Sequence, residues 1–267
     1  MNTCSGICPI SKRCGHSMTD TQVSFQNVSF QYASSFEETI HDLSFSVEAG
    51  EFVSFLAPSG AGKSTIFRLL TSLETPQSGT IFFNGSLLSN KSNQIGYMPQ
   101  RDLLLDWRTI LDNAALPLEL QGFSKKHARK KALSYFADFG LEGYEHSYPV
   151  QLSGGMRQRV SFLRAMLSGQ QVLLLDEPFS ALDAMTRIAM QQWLLSMWKK
   201  WHMTILFVTH DIDEALLLSD RIFLFQQKPL SSYQEIRLTD TRPRLIKDDL
   251  FELKQSIVDK LLKKVSL

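Results

Sequence analysis

Nine consecutive residues, Ala57-Pro58-Ser59-Gly60-Ala61-Gly62-Lys63-Ser64-Thr65, bring glycines, an ammonium and hydroxyls together in an order suited to holding a polyphosphate. Gly60 and Gly62 carry no Cβ, so the backbone can wrap an anion closely and aim successive N–H groups at it, while a helix starting there adds positive potential. In such a loop Lys63 reaches the β- and γ-phosphates and Ser64 is a ligand for Mg²⁺. The phosphate-loop pattern G-x-x-x-x-G-K-[ST] opens on glycine, whereas this chain has Ala57. Alanine is the smallest replacement and the residues nearest the phosphates lie further on, so the loop is expected to tolerate it. A second candidate is the adjacent pair Asp176 and Glu177, which ends the apolar run Val172-Leu173-Leu174-Leu175. Beside a phosphate loop, that pair reads as Mg²⁺ ligation by Asp176 and water activation by Glu177. A third is Leu152-Ser153-Gly154-Gly155, where a good N-cap and two glycines open a helix whose N-terminus suits an anion. Two more apolar runs end in one polar side chain each, Gln100 after Ile95-Gly96-Tyr97-Met98-Pro99 and His210 after Thr204-Ile205-Leu206-Phe207-Val208-Thr209.

These side chains need strands to deliver them and helices to follow. Glu51 to Leu56 has the β-branched and aromatic residues of a buried strand, and Ile66 to Thr71 suits the first turns of a helix. Upstream, Val23, Phe25 and Val28, then Leu43, Phe45 and Val47, alternate as half-buried strands do, and Ala49-Gly50 turns the chain into the phosphate-loop strand. Tyr32 ends the first of these strands, where its ring could stack on a base or simply occupy a strand edge. Gly79 to Gly85 reads as a strand closing in an Asn-Gly turn. Leu111 to about Tyr148 is helical in pattern, and its basic run Lys125-Lys126-His127-Ala128-Arg129-Lys130-Lys131 is most simply a solvated helix face. After Arg242-Pro243-Arg244, the residues Leu250, Leu253, Ile257, Leu261 and Val265 recur at steps of three and four and define one apolar stripe. One stripe cannot form a domain alone. The short connection from the last sheet strand, expected near Phe225, favours packing on the same chain.

At 267 residues and 43% hydrophobic the chain can bury one sizeable core, consistent with one large domain built of subdomains. A formal net charge of +1 gives no global electrostatic case for nucleic acid. No run of about eighteen apolar residues occurs, so no bilayer span is expected. The N-terminus lacks the apolar centre of a signal peptide, so a cytoplasmic location is expected. All three cysteines, Cys4, Cys8 and Cys14, precede His16 in a stretch rich in Gly, Pro and Ser. Three Cys and one His could close a tetrahedral zinc site, but the spacing matches no zinc framework and a disordered tail over residues 1–19 is the reading adopted. Met18 directly precedes the first ordered-looking segment and could be the usual start.

Taken in order, A-P-S-G-A-G-K-S-T, Y-M-P-Q, L-S-G-G-M, L-L-L-D-E-P, S-A-L-D and V-T-H-D resemble the ATP-binding subunit of an ABC transporter, from roughly Gln22 to Phe225. The resemblance implies an α/β fold: a P-loop NTPase core with a mostly parallel sheet, an N-terminal antiparallel β-subdomain and an α-helical signature subdomain. The cassette would span 20–228, with its helical part at about 101–165, and 229–267 would be a C-terminal extension with an amphipathic helix. It also implies ATP and Mg²⁺ as cofactors, with nucleotide contacts from Tyr32 as the adenine-stacking aromatic and from Ser59, Gly60, Ala61, Gly62, Lys63, Ser64 and Thr65. Mg²⁺ would lie among Ser64, Gln100 and Asp176, and catalysis would fall to Lys63, Glu177 and the switch histidine His210. Ser153, Gly154, Gly155 and the D-loop Asp183 would act in trans on the nucleotide of a second ATPase subunit. The implied partners are that second copy, two integral-membrane permease subunits and a solute-binding protein, with no nucleic acid, at the cytoplasmic face of the inner membrane. R-D-L-L-L-D-W-R-T-I-L-D-N and V-T-H-D-I-D-E-A-L-L-L-S-D-R further resemble the importer branch for nitrate, sulfonates, taurine and thiamine-pyrimidine precursors. That branch usually has Pro before the tryptophan, and here Asp106 precedes Trp107. Two rivals remain. A GTPase or small-molecule kinase shares the P-loop, but Asn90-Lys91-Ser92-Asn93 lacks the Asp of a guanine-reading motif and L-S-G-G-M goes unexplained. A soluble ABC ATPase acting on a ribosome or nucleic acid usually carries two cassettes or a coiled-coil insertion, and no heptad run is seen.

Overall fold

The computed structural model describes residues 21–88, 94–169, 171–238 and 248–262. The cysteine-bearing N-terminal stretch, the Asn90 to Asn93 segment, Arg242-Pro243-Arg244 and Val265 lie outside the described residues. Two sheets form. The smaller joins β1 (Thr21–Phe30), β2 (Ile40–Glu48), β4 (Ser78–Phe83) and β5 (Ser86–Leu87) in the antiparallel order β2-β1-β4-β5. The larger runs β10-β9-β3-β8-β7-β6, from β3 (Phe52–Leu56), β6 (Ile95–Met98), β7 (Val172–Asp176), β8 (Thr204–Thr209), β9 (Arg221–Leu224) and β10 (Gln234–Arg237). All its neighbours are parallel except β10, which lies antiparallel on β9. The helices are α1 (Lys63–Leu70), α2 (Ile110–Leu120), α3 (Lys125–Leu133), α4 (Gly154–Ser168), α5 (Ala184–Trp201), α6 (Ile212–Leu218) and α7 (Asp248–Leu262).

The larger sheet is apolar on both faces, as a parallel sheet covered on both sides must be. Strand pleating sends alternate side chains to different cores. Leu173 and Leu175 of β7 and Ile205 and Phe207 of β8 join α2, α4 and α5, whereas Leu174, Leu206 and Val208 meet α1 and the smaller sheet. The smaller sheet contributes Val23, Phe25 and Val28 with Leu43, Phe45 and Val47, all buried as the alternation predicts, and Phe25 stacks on Phe45 at 4.4 Å. Asn84 and Gly85 make the hairpin turn between β4 and β5, both at positive φ, as a two-residue hairpin loop with matching twist requires.

Three expectations change. Tyr32 lies two residues beyond the end of β1 rather than in it. The helical pattern over Leu111 to Tyr148 yields only α2 and α3, and turns follow from Ser134, with Gly140 and Gly143 at positive φ where a helix cannot continue. The sheet does not end near Phe225, because β10 adds one antiparallel edge strand from within the expected extension. Helix α7 packs on this chain: Ile257 is fully buried with Ala215, Leu216, Ile222, Leu224 and Ile236, and Leu250, Leu253 and Leu261 rest against that cluster.

Candidate functional site

Because β3, β8, β7 and β6 are adjacent and parallel, their C-terminal ends share one edge of the sheet. Leu56 stands opposite Thr209, Asp176 opposite Val208, and Met98 opposite Leu175. The phosphate loop, His210, Glu177 and Gln100 therefore leave the sheet side by side, in the crevice where ligands bind to open α/β sheets.

The phosphate loop needs its glycines. Gly62 sits at φ 104° as the N-cap of α1, and a Cβ there would come within 2.5 Å of Thr39 Cγ2. Gly60 has φ 75°. Ala57 is buried and keeps out of the left-handed region, so its position does not call for glycine and the departure from the motif costs no backbone strain. Lys63, 5% exposed, donates from Nζ to Ala57 O at 2.7 Å and Pro58 O at 3.0 Å. Burial pushes its ammonium below the ordinary lysine range, against the pull of the Glu177 and Asp176 charges. Tyr32 stands beside the loop, its hydroxyl 3.1 Å from Thr65 Oγ1 and its ring edge-on to Phe30.

Ser64 Oγ donates to Asp176 Oδ1 at 3.1 Å, and Tyr97 Oη donates to Asp176 Oδ2 at 3.3 Å. Burial raises the Asp176 carboxyl above its ordinary value, with those two hydrogen bonds opposing the shift, and burial likewise raises the Tyr97 phenol. Among the described residues no group of three His, Cys, Asp or Glu could hold a metal. A Mg²⁺ carried with phosphates needs only one or two protein oxygens, and the Ser64 hydroxyl beside the Asp176 carboxylate supplies that donor set. Tyr97 was not singled out from the sequence; its signal is its place on β6, opposite Leu174 and two residues before Asp176 in the sheet's register.

Glu177 leaves β7 at φ 46°, an uncommon left-handed conformation for a non-glycine residue, while its N–H donates to Val208 O at 2.9 Å. Its Oε2 accepts from Gln100 Nε2 at 3.3 Å and lies 3.2 Å from His210 Nδ1. Gln100 also points Nε2 at Ser180 Oγ, 3.5 Å away. The structure thus gathers Glu177, His210 and Gln100 into one contact group beside Lys63, Ser64 and Asp176.

Ser153, Gly154, Gly155 and Asp183 form a second patch. Ser153 caps α4, accepting from Met156 N at 3.3 Å, and Asp183 caps α5, accepting from Thr186 N at 3.0 Å. A Cβ on Gly155 would lie 2.9 Å from Thr186 Cγ2, and one on Gly154 3.4 Å from Leu182 Cδ2. The two helix starts meet at Gly155, where a Cβ would crowd the Thr186 methyl, whereas at Gly154 it would make an ordinary contact. Exposed Met185 and Ile188 flank this patch.

A P-loop opening a helix at one edge of a parallel sheet, with an acidic pair and a histidine on neighbouring strands, defines a P-loop ATPase cassette. The chain belongs to the ABC transporter family, which it matches over residues 40–180, and it is an ATP-binding subunit with ATPase activity. It is 50% identical over 244 residues to the formylaminopyrimidine import ATP-binding protein ThiZ of Halalkalibacterium halodurans, covering 91% of this chain and 95% of that one. It is 44% identical over 224 residues to the aliphatic sulfonates import ATP-binding protein SsuB 1 of Rhodococcus jostii, covering 84% and 87%. Among solved structures, a dimeric ATP-binding cassette in a post-hydrolysis state with ADP and phosphate shares 29% identity at a TM-score of 0.69, over 82% of this chain and 100% of that chain. No helix among the described residues is long and apolar enough to cross a membrane.

Proposed function

We propose that this chain powers uptake of a small solute through a membrane permease, working as a symmetric pair of ATPase cassettes on the cytoplasmic face of the membrane. The observation that carries the reading is the convergence of Lys63, Ser64, Asp176, Glu177, Gln100 and His210 at the ends of four adjacent strands. Lys63 and the loop N–H groups bind the phosphates and offset charge developing in phosphoryl transfer. Tyr32, beside Thr65, offers a ring face to the base. Ser64 and Asp176 would hold a Mg²⁺ that offsets phosphate charge, and Gln100, whose amide here meets Glu177 and Ser180, would have to turn to join them. Glu177 orients water and takes its proton, a contribution of roughly 10²- to 10⁴-fold, and His210, at 3.2 Å, holds the Glu177 carboxylate in place.

The second patch explains the need for a pair. Ser153, Gly154, Gly155 and Asp183 present a helix N-terminus suited to a γ-phosphate, which a second copy brings to the P-loop across a two-fold axis. Two ATP molecules then hold the pair together, and their hydrolysis releases it. Leu103 and Trp107, exposed in the segment after Gln100, supply apolar surface for a permease loop, so the nucleotide state is transmitted to the membrane partner. A solute-binding protein would deliver the cargo.

The relative that imports formylaminopyrimidine makes thiamine-pyrimidine precursors the first solutes to try. The test is uptake of labelled formylaminopyrimidine by cells lacking the gene, supplied with the parent chain or with Glu177→Gln. Uptake restored by the parent alone is the expected result. Uptake that does not depend on the chain would overturn the solute assignment.

A further inference from the structure

His210 is more than half exposed and occupies a turn between β8 and α6, so side-chain packing does not hold it. A closed set of hydrogen bonds does. Glu214, 5% exposed, accepts on Oε2 from Thr209 Oγ1 at 2.7 Å and on Oε1 from Gln191 Nε2 at 3.4 Å. Thr209 Oγ1 in turn accepts from Asp211 N at 3.0 Å, and Asp211 Oδ1 accepts from Asp213 N at 2.8 Å and Glu214 N at 3.2 Å. Thr209 and Asp211 are the two neighbours of His210, so the ring closes around the backbone that carries the imidazole. A buried carboxylate is costly to desolvate, and a solvent-facing turn could be capped by Asp211 alone. The turn is therefore built more rigidly than the start of a short helix requires.

The same turn is tied to α5. Arg187 donates from Nη2 to Leu182 O at 3.1 Å, and its Nη1 stands 3.8 Å from Asp211 Oδ2. Leu182 directly precedes Asp183, so one guanidinium spans the Asp183 turn and the His210 turn. Its Nε is buried with no hydrogen-bond partner, a cost that the contacts to the two turns offset.

We propose that Glu214 and Arg187 are positioning residues for His210: Glu214 locks the turn that aims the imidazole at Glu177, and Arg187 links that turn to the one carrying Asp183. Closure of a second copy on the Asp183 turn is then felt at His210 within the same chain. This rests on the assignment of His210 above, and the experiment separates the two.

Steady-state ATP turnover is measured for Glu214→Leu, Thr209→Val and Arg187→Ala, each in the parent and in a His210→Ala background. In the parent each substitution lowers kcat about five- to twentyfold with KM for MgATP within about twofold, the pattern of an interaction felt in the transition state. In the His210→Ala background each costs less than about twofold, because residues acting through one group are not additive. Glu214→Gln keeps an oxygen for Thr209 and recovers to within about threefold of the parent. Thr209→Val, nearly isosteric, keeps the test decisive if Glu214→Leu does not fold. Equal losses in both backgrounds, or losses carried by KM, overturn the positioning role alone. Parent-like turnover of His210→Ala overturns the His210 assignment and the proposal with it.

Discussion

At Glu177 the backbone enters the left-handed region immediately after a strand, where a side chain with a Cβ costs roughly 1–2 kcal/mol. That conformation turns the carboxylate out of the sheet toward Gln100 and His210 instead of along β7. Strain at such a place is offset by the ladder bond from Glu177 N to Val208 O and by the fully buried strands β7 and β8. The neighbouring departure, Ala57, carries no such strain. Ala57→Gly should therefore leave ATP turnover within about threefold of the parent, since the alanine already adopts the required backbone and Lys63 bonds to its carbonyl, not its methyl. A loss beyond tenfold in a turnover assay would show that the buried methyl itself holds the loop. The residue types of the site were legible because phosphate chemistry demands them in sequence: glycines before a lysine, an acidic pair after an apolar strand. The Tyr97 to Asp176 bond and the Glu214 ring around His210 were not legible. They depend on which strands become neighbours and on which face of α6 meets α5, and neither has a local sequence signature.

Among elements, the strands read most clearly, because the two-residue period of Leu43, Phe45 and Val47 fits no helix, and Val23 and Phe25 keep that period until a register shift delays the next buried residue to Val28. The helical subdomain read less clearly. Its polar residues satisfy turns as readily as helix, and Gly140 and Gly143 break the pattern once α3 ends. Strand β10 was missed because Gln234-Glu235-Ile236-Arg237 buries only Ile236, too little for an apolar signal at a sheet edge. Its charges are used laterally: Arg221, on β9, pairs with Glu235 at 2.9 Å and with Glu51 at 2.9 Å. Helix α7 buries Ile257 completely and covers the far end of this sheet, while Lys254 reaches Asp213 of α6 at 2.7 Å. Burying one such side chain contributes about 1.5–3 kcal/mol before entropy costs. Removing residues 247–267 should lower the melting temperature by several degrees, at about 2–4 °C per kcal/mol for a domain of this size. ATP affinity should stay within about twofold, because α7 packs with α6, β9, β10 and the buried Leu56 at the end of β3, and not on Lys63, Ser64 or Asp176. An unchanged melting temperature with altered transport would mark α7 as a regulatory contact instead.

The whole molecule places two incomplete half-sites on one chain. One gathers the P-loop, Asp176, Glu177, Gln100 and His210 at the sheet edge; the other presents the starts of α4 and α5, packed together through Gly154, Gly155, Leu182 and Thr186. Under the proposed mechanism a second copy supplies each complement, and hydrolysis sets the lifetime of the pair. The order of the motifs made this arrangement legible, since L-S-G-G between a P-loop and L-L-L-D-E-P belongs to the ABC family. The solute stayed out of reach because no residue of this chain needs to touch it. The most direct measurement is the solution mass of Glu177→Gln by light scattering, with MgATP and without nucleotide, alongside its ATP turnover. Glutamine keeps the shape of Glu177 but cannot take a proton, so turnover should fall by roughly 10²-fold or more while ATP still binds. With MgATP the mass should double from 30.4 kDa, and without nucleotide it should not. A Glu177→Gln protein that binds ATP yet stays at 30.4 kDa, or that turns over within about twofold of the parent, would contradict the paired-site mechanism.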